Sequence, residues 1–345
     1  MRAIGIHEYG GLDRVQLIEV DEPTAADGEV VIDVRSAALN HLDVWVRNGR
    51  PGPGLPMPHI LGSDAAGVIT AVGEGVPRSR LGEEVVITPG LSCRRCEACI
   101  RGEHSECESF GIIGANRPGT FAERVAVPAY CAHPKPRALS FDQAAALPVA
   151  YLTSWRMLLS RAKLRPGESV LVHGVGGGVA LAALQIAKLI GALVIVTSSS
   201  EEKLAKARAL GADHSIDYGA SPDVAGAVRE LTDGRGVDVV VDTVGAATWP
   251  IDLSVVRKGG RVVLCGVTTG AEAPTDLRTV YWRQLSLLGS TFGNDEEFRL
   301  LLNATESAGL RPVIDSTYDI EDAADAMERM EAGKQFGKLV LRVPH

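Results

Sequence analysis

The sequence lacks an uninterrupted apolar run long enough for a bilayer. Its greasiest stretch, 179–196, is broken by Gln185 and Lys188 and divided by Gly191, where a span needs about 20 consecutive apolar residues. That stretch reads as a helix followed by a strand, and a membrane partner is excluded. Nor do the opening residues, Met1 to Glu8, carry the apolar core of an export signal; they read as a first strand, so the chain is expected in the cytoplasm. No dense Lys/Arg run offsets the formal net charge of −8, which excludes a broad electrostatic grip on phosphate backbones and therefore nucleic acid as a partner. Low-complexity tracts and short repeats are missing too, which argues against disorder and solenoids. What remains is ordinary globular material, 46% hydrophobic and 23% charged, and 345 residues are enough for two cores.

Two textures follow one another along the chain. Up to about residue 130, short β-branched runs at 29–34, 66–72 and 84–88 alternate with Gly/Pro turns such as 49–58, the pattern of an irregular, largely antiparallel β domain. From Ser169 onward, apolar strands at 169–173, 193–197, 214–216, 237–242, 261–265 and 285–288 alternate with helical segments, which predicts βαβ units and a six-stranded parallel sheet. After Gly293 the texture is mixed again: Ala323, Met327 and Met330 share a helical face, and 337–343 reads as a closing strand. This tail is expected to fold back on the first domain, so that 1–150 and 293–345 enclose a second domain at 151–292.

The strand at 169–173 runs into Gly174-Val175-Gly176-Gly177-Gly178-Val179-Ala180 and then into a helix whose Val179, Ala182, Ala183, Ile186 and Ile190 share one face. Glycines let the backbone approach a pyrophosphate, and the free amides and positive end of the helix stabilise its charge. Gly174, Gly176, Gly177, Gly178 and Val179 are thus candidate dinucleotide contacts, with Ala180 in the last position of the G-x-G-x-x-G/A pattern. At the end of the second strand an NAD site places an acidic residue on the ribose. This chain has Ser198, Ser199 and Ser200, then Glu201, Glu202 and Lys203. Ser198, Ser199 and Lys203 suit a 2′-phosphate, favouring NADP(H) over NAD(H); the alternative is that Ser200 caps a helix and Lys203 is solvated.

Six cysteines in a reducing compartment are free or metal-bound rather than disulfide-linked. Cys93, Cys96, Cys99 and Cys107 place four thiolates within fifteen residues, enough for a closed tetrahedral zinc site that is structural because no position is left for substrate. Cys131 and Cys265 read as buried fillers. Together with Gly62-Ser63-Asp64-Ala65-Ala66-Gly67 and the late nucleotide domain, the cysteine lobe resembles the medium-chain dehydrogenase/reductase superfamily over essentially the whole chain. The resemblance implies an α/β protein: a Rossmann doubly wound parallel sheet plus a GroES-like mostly-β domain whose structural-zinc lobe is 91–111. It also implies a homodimer or homotetramer with Rossmann sheets pairing edge to edge.

In the alcohol dehydrogenase branch, the catalytic zinc is held at positions that correspond to Asn40, Ser63 and Val149 here, and none of these is a strong zinc ligand. The Asn-x-x-Asp segment from Asn40 to Asp43 and the stretch Leu152-Thr153-Ser154-Trp155 are instead similar to zinc-independent quinone oxidoreductases and enoyl reductases. The resemblance places Asn40 and Ser63 in the substrate pocket, Asp43 behind them as a brace, and His41 and Thr153 with the cofactor. The plain readings are a turn for Asn40 and a solvated helix start for His41 and Asp43, while His41, His59 and Asp64 could in principle improvise a metal site. Without a Lewis acid a plain ketone is hard to reduce, whereas a quinone or α,β-unsaturated carbonyl spreads the incoming charge. The expected activity is NADPH-dependent reduction of a quinone or activated alkene or carbonyl small molecule. The alternatives are a zinc-dependent alcohol dehydrogenase with unorthodox ligands and a dinucleotide-binding sensor without turnover. The aromatics of 280–284 are assigned either to the substrate or, more commonly for such residues, to core packing or a subunit contact.

Overall fold

The computed structural model describes residues 1–50 and 54–344; the centre of the turn expected at 49–58 lies outside the described residues. Contacts divide the chain into Met1–Leu152 with Gly293–His345 as one unit and Thr153–Phe292 as the other. In the first, the strands are β1 (Arg2–Ile6), β2 (Gln16–Glu19), β3 (Glu29–Ala38), β4 (His59–Ile60), β5 (Asp64–Val72), β6 (Glu84–Ile87), β7 (Gly90–Leu91), β8 (Gly111–Ile112), β9 (Arg124–Pro128) and β10 (Ala132–Pro134). They are joined from beyond the second unit by β17 (Ile314–Asp319) and β18 (Lys338–Arg342). The principal sheet runs β10-β6-β5-β3-β18-β17, with β9 also pairing β3. All its pairings are antiparallel except β17 with β18. The β-branched side chains of β3 explain its central place: Val30, Ile32 and Val34 pack with Ile69, Val85 and Ile87 in one buried cluster, where each such side chain contributes about 1.5–3 kcal/mol.

The helices of this unit are short except α10, which has 13 residues. They comprise α1 (His41–Arg47), α2 (Glu97–Ile100) and α3 (Phe141–Ala145), with α4 (Pro148–Trp155) beginning here, then α10 (Asp295–Ser307) and α11 (Ala323–Glu331). The expected face of α11 is buried: Ala323, Met327 and Met330 join the same cluster as Leu339 and Leu341 of β18.

The second unit holds β11 (Ser169–Val172), β12 (Leu193–Ser198), β13 (His214–Asp217), β14 (Val237–Asp242), β15 (Val256–Leu264) and β16 (Ser286–Gly289). Between them lie α5 (Gly178–Ile190), α6 (Glu201–Ala209), α7 (Val224–Leu231), α8 (Trp249–Val255) and α9 (Leu277–Trp282). Every strand pair is parallel, in the order β13-β12-β11-β14-β15-β16. This is the dinucleotide-fold order, and its ligand crevice lies outside the carboxyl ends of the strands, where the order reverses between β11 and β14. Two strands start at a different residue from the sequence reading, and several ends differ by a single residue. β15 starts at Val256 rather than Arg261, because Val256 already pairs with Val237 across a bulge. The last strand starts at Ser286 rather than Leu285, whose N–H closes the preceding turn on the Val280 carbonyl.

Candidate active site and metal centre

Three strand ends of the first unit converge on one buried polar cluster. β3 runs out through Leu39 into Asn40, β5 begins at Asp64 opposite Ala38, and β18 begins at Lys338 two residues before Val340 pairs with Ala38. Lys338 is 3% exposed and Asp64 is fully buried, so the ammonium must be satisfied inside the protein. It donates to Asp64 Oδ2 at 3.0 Å, Asn40 Oδ1 at 2.5 Å and the Leu39 carbonyl at 2.7 Å, which uses all three of its hydrogens. Asp64 also accepts Asn40 Nδ2 at 2.9 Å and, on its other oxygen, the Val149 N–H at 2.9 Å. The Asn40 carboxamide is therefore polarised from both ends; its second Nδ2 hydrogen makes only a long 3.4 Å contact to the Ala38 carbonyl.

Asn40 precedes α1 as its N-cap residue, and its backbone N–H donates to Asp43 Oδ2 at 2.7 Å. Asp43 is buried, not solvated as the plain reading had it, and burial pushes its carboxyl up to about 7 against the backbone N–H groups of Asn40 and Gly62 and the charge of Lys338, which lower it. His41 is exposed at the first helical position, yet crowded enough by surrounding atoms that desolvation, then Lys338, lowers its pKa and leaves it neutral at pH 7. Ser63 is fully buried and donates to the Ile113 carbonyl at 2.7 Å. Gly62 sets up this corner: at φ +96° a Cβ would lie 2.2 Å from the Phe121 ring, so only glycine fits. His59 is turned to the Gly114 carbonyl at 2.9 Å. His41, His59 and Asp64 do not assemble a metal site: among the described residues the cysteine quartet is the sole cluster of three or more suitable ligands. Nor do Asn40, Ser63 and Val149 fit a catalytic zinc, since valine has no side-chain donor, a neutral serine hydroxyl is a weak zinc ligand and an ammonium already sits on the amide oxygen. Lys338 escaped the sequence reading because a lysine opening an apolar strand looks solvated.

The sulfurs of Cys93, Cys96, Cys99 and Cys107 all lie within 4.8 Å of one another, with Cys93 and Cys99 3.9 Å apart. Four sulfurs around a tetrahedral zinc stand about 3.8 Å apart, so the quartet fits the ion. Backbone amides also point at the sulfurs: Cys93 N–H to Cys107 and Cys96 N–H to Cys93, at 3.2 and 3.3 Å. Amides of Arg95 and Cys96 bring the Cys93 thiol down to about 6, while burial holds Cys99 up to about 11, a value that a bound cation would reverse. Arg94, at φ +59°, anchors the lobe: its guanidinium stacks 3.8 Å over the Tyr130 ring and pairs with Asp295 at the start of α10. Cys131 is fully buried as expected, but Cys265 is only partly so.

On the second unit, Gly174 and Gly176 adopt φ of +65° and +137°, and Gly177 caps α5, whose first residues are Gly178 and Val179. The amides of that first turn have no partner within the helix. Ser154 holds the turn by donating to the Val179 carbonyl at 2.8 Å; Thr153, beside it, is buried. After β12, Ser198 is buried and its hydroxyl accepts the Ser200 N–H, Ser199 is exposed, and Ser200 caps α6 by accepting the Lys203 N–H. The Lys203 side chain is half-buried. A cavity of about 180 Å³, lined by Asp242, Gly245, Trp249, Leu264 and Val267 among others, opens beside the loops after β14 and β15.

Comparison with known proteins decides the family. Residues 26–137 match the alcohol dehydrogenase GroES-like domain and residues 178–307 the zinc-binding dehydrogenase domain. The chain is 34% identical to an NAD-dependent alcohol dehydrogenase of Sulfolobus acidocaldarius, over 99% of this chain and 100% of that one. It belongs to the medium-chain dehydrogenase/reductase superfamily. This dehydrogenase/reductase is also 31% identical to a quinone oxidoreductase of Rattus norvegicus, over 99% of both chains. A crystal structure of an NAD-dependent alcohol dehydrogenase matches it with a TM-score of 0.96 at 44% identity, covering 100% of both chains. The dehydrogenase/reductase is accordingly an NAD(P)-dependent oxidoreductase joining a GroES-like unit to a Rossmann unit. No helix among the described residues is long and apolar enough to cross a membrane.

Proposed function

We propose that the enzyme uses NADPH to reduce a quinone or an activated alkene or carbonyl, carries one structural zinc at Cys93, Cys96, Cys99 and Cys107, and uses no catalytic zinc. One observation carries this reading: of the positions that hold the catalytic metal in alcohol dehydrogenases, Asn40 is here built into a buried cluster with Lys338 and Asp64, and Val149 is tied to the same carboxylate by its backbone N–H. Hydride addition to a conjugated acceptor generates an enolate or phenolate, whose spread charge needs a hydrogen-bond donor rather than a Lewis acid. Asn40, with Lys338 on its oxygen and one weakly used hydrogen on its nitrogen, supplies that donor. Ser63 keeps acceptor capacity for a substrate hydroxyl, and Asp43, through the Asn40 N–H, holds Asn40 in place. His41, neutral at the start of α1, approaches the cofactor phosphates, and Thr153 is a further cofactor contact.

NADPH is favoured because the second strand ends in hydroxyls, with exposed Ser199 and half-buried Lys203 where an acidic ribose ligand would repel a 2′-phosphate. Ser200 keeps its capping role in this reading, since the cap uses the Lys203 N–H and not its ammonium. The enzyme is further proposed to act in the cytoplasm and to assemble through the β16 edge of its Rossmann sheet.

The test is cofactor oxidation against a panel of quinones, enones and aldehydes with NADPH and NADH in parallel. Turnover of the conjugated acceptors, with unactivated aldehydes slower, is expected, and Lys203→Ala raises the KM for NADPH about tenfold while leaving that for NADH within twofold. Binding without turnover of any acceptor would make the protein a sensor, and equal KM values for both cofactors in the wild type would remove the NADPH assignment.

A further inference from the structure

A second buried polar array lies inside the Rossmann unit. His173, the residue that follows β11 and precedes Gly174, is 1% exposed, and its two ring nitrogens are both engaged. Nε2 lies 2.8 Å from Asp252 Oδ1 on α8, and Nδ1 lies 3.3 Å from Thr197 Oγ1 on β12. The Thr197 hydroxyl in turn accepts the Gly174 N–H at 3.2 Å, and the Thr197 carbonyl accepts the Val175 N–H at 2.9 Å. A polar line thus runs from a helix behind the sheet, through the strand end, to the first turn of the glycine loop.

Proton bookkeeping gives the line one consistent direction. Gly174 must donate, so the Thr197 hydroxyl accepts it and turns its own hydrogen to His173 Nδ1; the ring then carries its proton on Nε2 and donates to Asp252. Asp252 is fully buried, and its Oδ2 has no hydrogen-bond partner. An anion left so would be costly, whereas a neutral carboxyl is tolerable. The ionisable groups facing Asp252 are His173, just after β11, and Asp242 from β14. Burial, opposed by His173 and reinforced by Asp242, pushes Asp252 up to about 7. Asp242 itself accepts the Val244 and Gly245 amides and the Thr248 hydroxyl at 2.7, 3.2 and 3.0 Å. Cys265, which faces Asp242, is pushed up to about 12 and stays neutral. None of these groups lies in the glycine loop itself, so they have no direct part in phosphate binding.

We infer that Asp252, His173 and Thr197 are positioning residues that hold the Gly174 end of the loop in its dinucleotide-binding conformation, with Asp252 acting as a neutral acid. This rests on the reading of that loop as the dinucleotide site. The line ties together the ends of β11 and β12, the two strands whose loops would grip the two ends of the adenosine diphosphate. It also explains why an imidazole, and not another valine, closes the apolar run of β11.

The test is calorimetric titration of the full-length protein with NADPH and with NADH, alongside thermal unfolding. Thr197→Val is nearly isosteric and cuts the line next to the loop; it is expected to raise Kd for both dinucleotides about fivefold to tenfold, the effect of one neutral hydrogen bond. Asp252→Asn keeps the acceptor oxygen and the neutral charge, and is expected to bind within twofold of wild type at pH 6. Above pH 8, where wild-type Asp252 ionises, the variant is expected to bind more tightly than wild type. Thr197→Val binding as wild type would overturn the inference, and so would Asp252→Asn losing affinity at pH 6. His173→Phe serves as a second break should Thr197→Val fail to fold. A wild type that binds neither dinucleotide would instead remove the reading of the loop, which keeps the two failures apart.

Discussion

Asp43 shows how far a single side chain can depart from its sequence appearance. In the first turn of a helix, an aspartate ordinarily lies in water and stays ionised. Here it is 2% exposed and pushed up to about 7 by burial, well above the ordinary carboxylate range. Because the folded-state value exceeds the unfolded one, its contribution to stability is fully present below about pH 4 and is lost as pH rises through 7. Asp43→Asn, neutral at every pH, is therefore expected to gain on wild type between pH 4.5 and 7.5 in paired thermal unfolding scans. A difference in Tm that does not change with pH would show that Asp43 titrates normally. The same burial explains what sequence reading could and could not reach. Cys93, Cys96, Cys99 and Cys107 are legible because spacing alone brings four thiolates together. Lys338 is not, because its partners Asn40 and Asp64 are 298 and 274 residues away, and only the sheet order β5-β3-β18 makes them neighbours.

Elements were legible where local chemistry and tertiary role agree. The Rossmann strands are β-branched runs buried on both faces, so periodicity and context coincide; β14 is buried at all six positions. Boundaries were lost where a turn or bulge intervenes, as at Val256 and Leu285. Of the readings of the aromatic segment before β16, core packing does not hold, because Leu277, Tyr281 and Trp282 of α9 are 74%, 66% and 71% exposed; the subunit contact stays open. The cysteine lobe is the opposite case, an element with almost no regular structure. Its residues 91–111 contain one turn of α2, one 3-10 turn at His104–Glu106 and a two-stranded pairing of β7 with β8, so its order is expected to come from a metal on the four cysteines and from Arg94 on Tyr130. Purified enzyme is expected to contain about one zinc per chain. Cys93→Ser should release it and raise hydrogen exchange across the lobe, since a structural site contributes its binding energy to local folding. A second stoichiometric zinc whose removal abolishes activity and whose return restores it would favour the alcohol dehydrogenase reading instead.

At the scale of the molecule, β16 ends the Rossmann sheet, with the exposed face of α9 immediately before it. An unpaired edge beside three exposed apolar side chains is a template for another strand, and a second copy of the same edge is self-complementary about a two-fold axis. Light scattering is expected to give a dimer or tetramer, and Trp282→Asp with Leu277→Asp to shift it toward monomer; a wild-type monomer at micromolar concentration would end this assignment. The insertion of one unit within the other has a further consequence, which concerns the order of assembly during synthesis. Strands β11 to β16 are contiguous, so the Rossmann sheet can close while the last strand of the first unit has yet to be made. At about 5–20 residues per second, translation separates Asp64 from Lys338 by roughly 10–60 seconds. Throughout that interval the nascent GroES-like sheet has an open edge beside β3 and a carboxylate without its counter-ion. The lysine therefore acts as a completion mark: the sheet is sealed and its buried charge neutralised in a single late docking event.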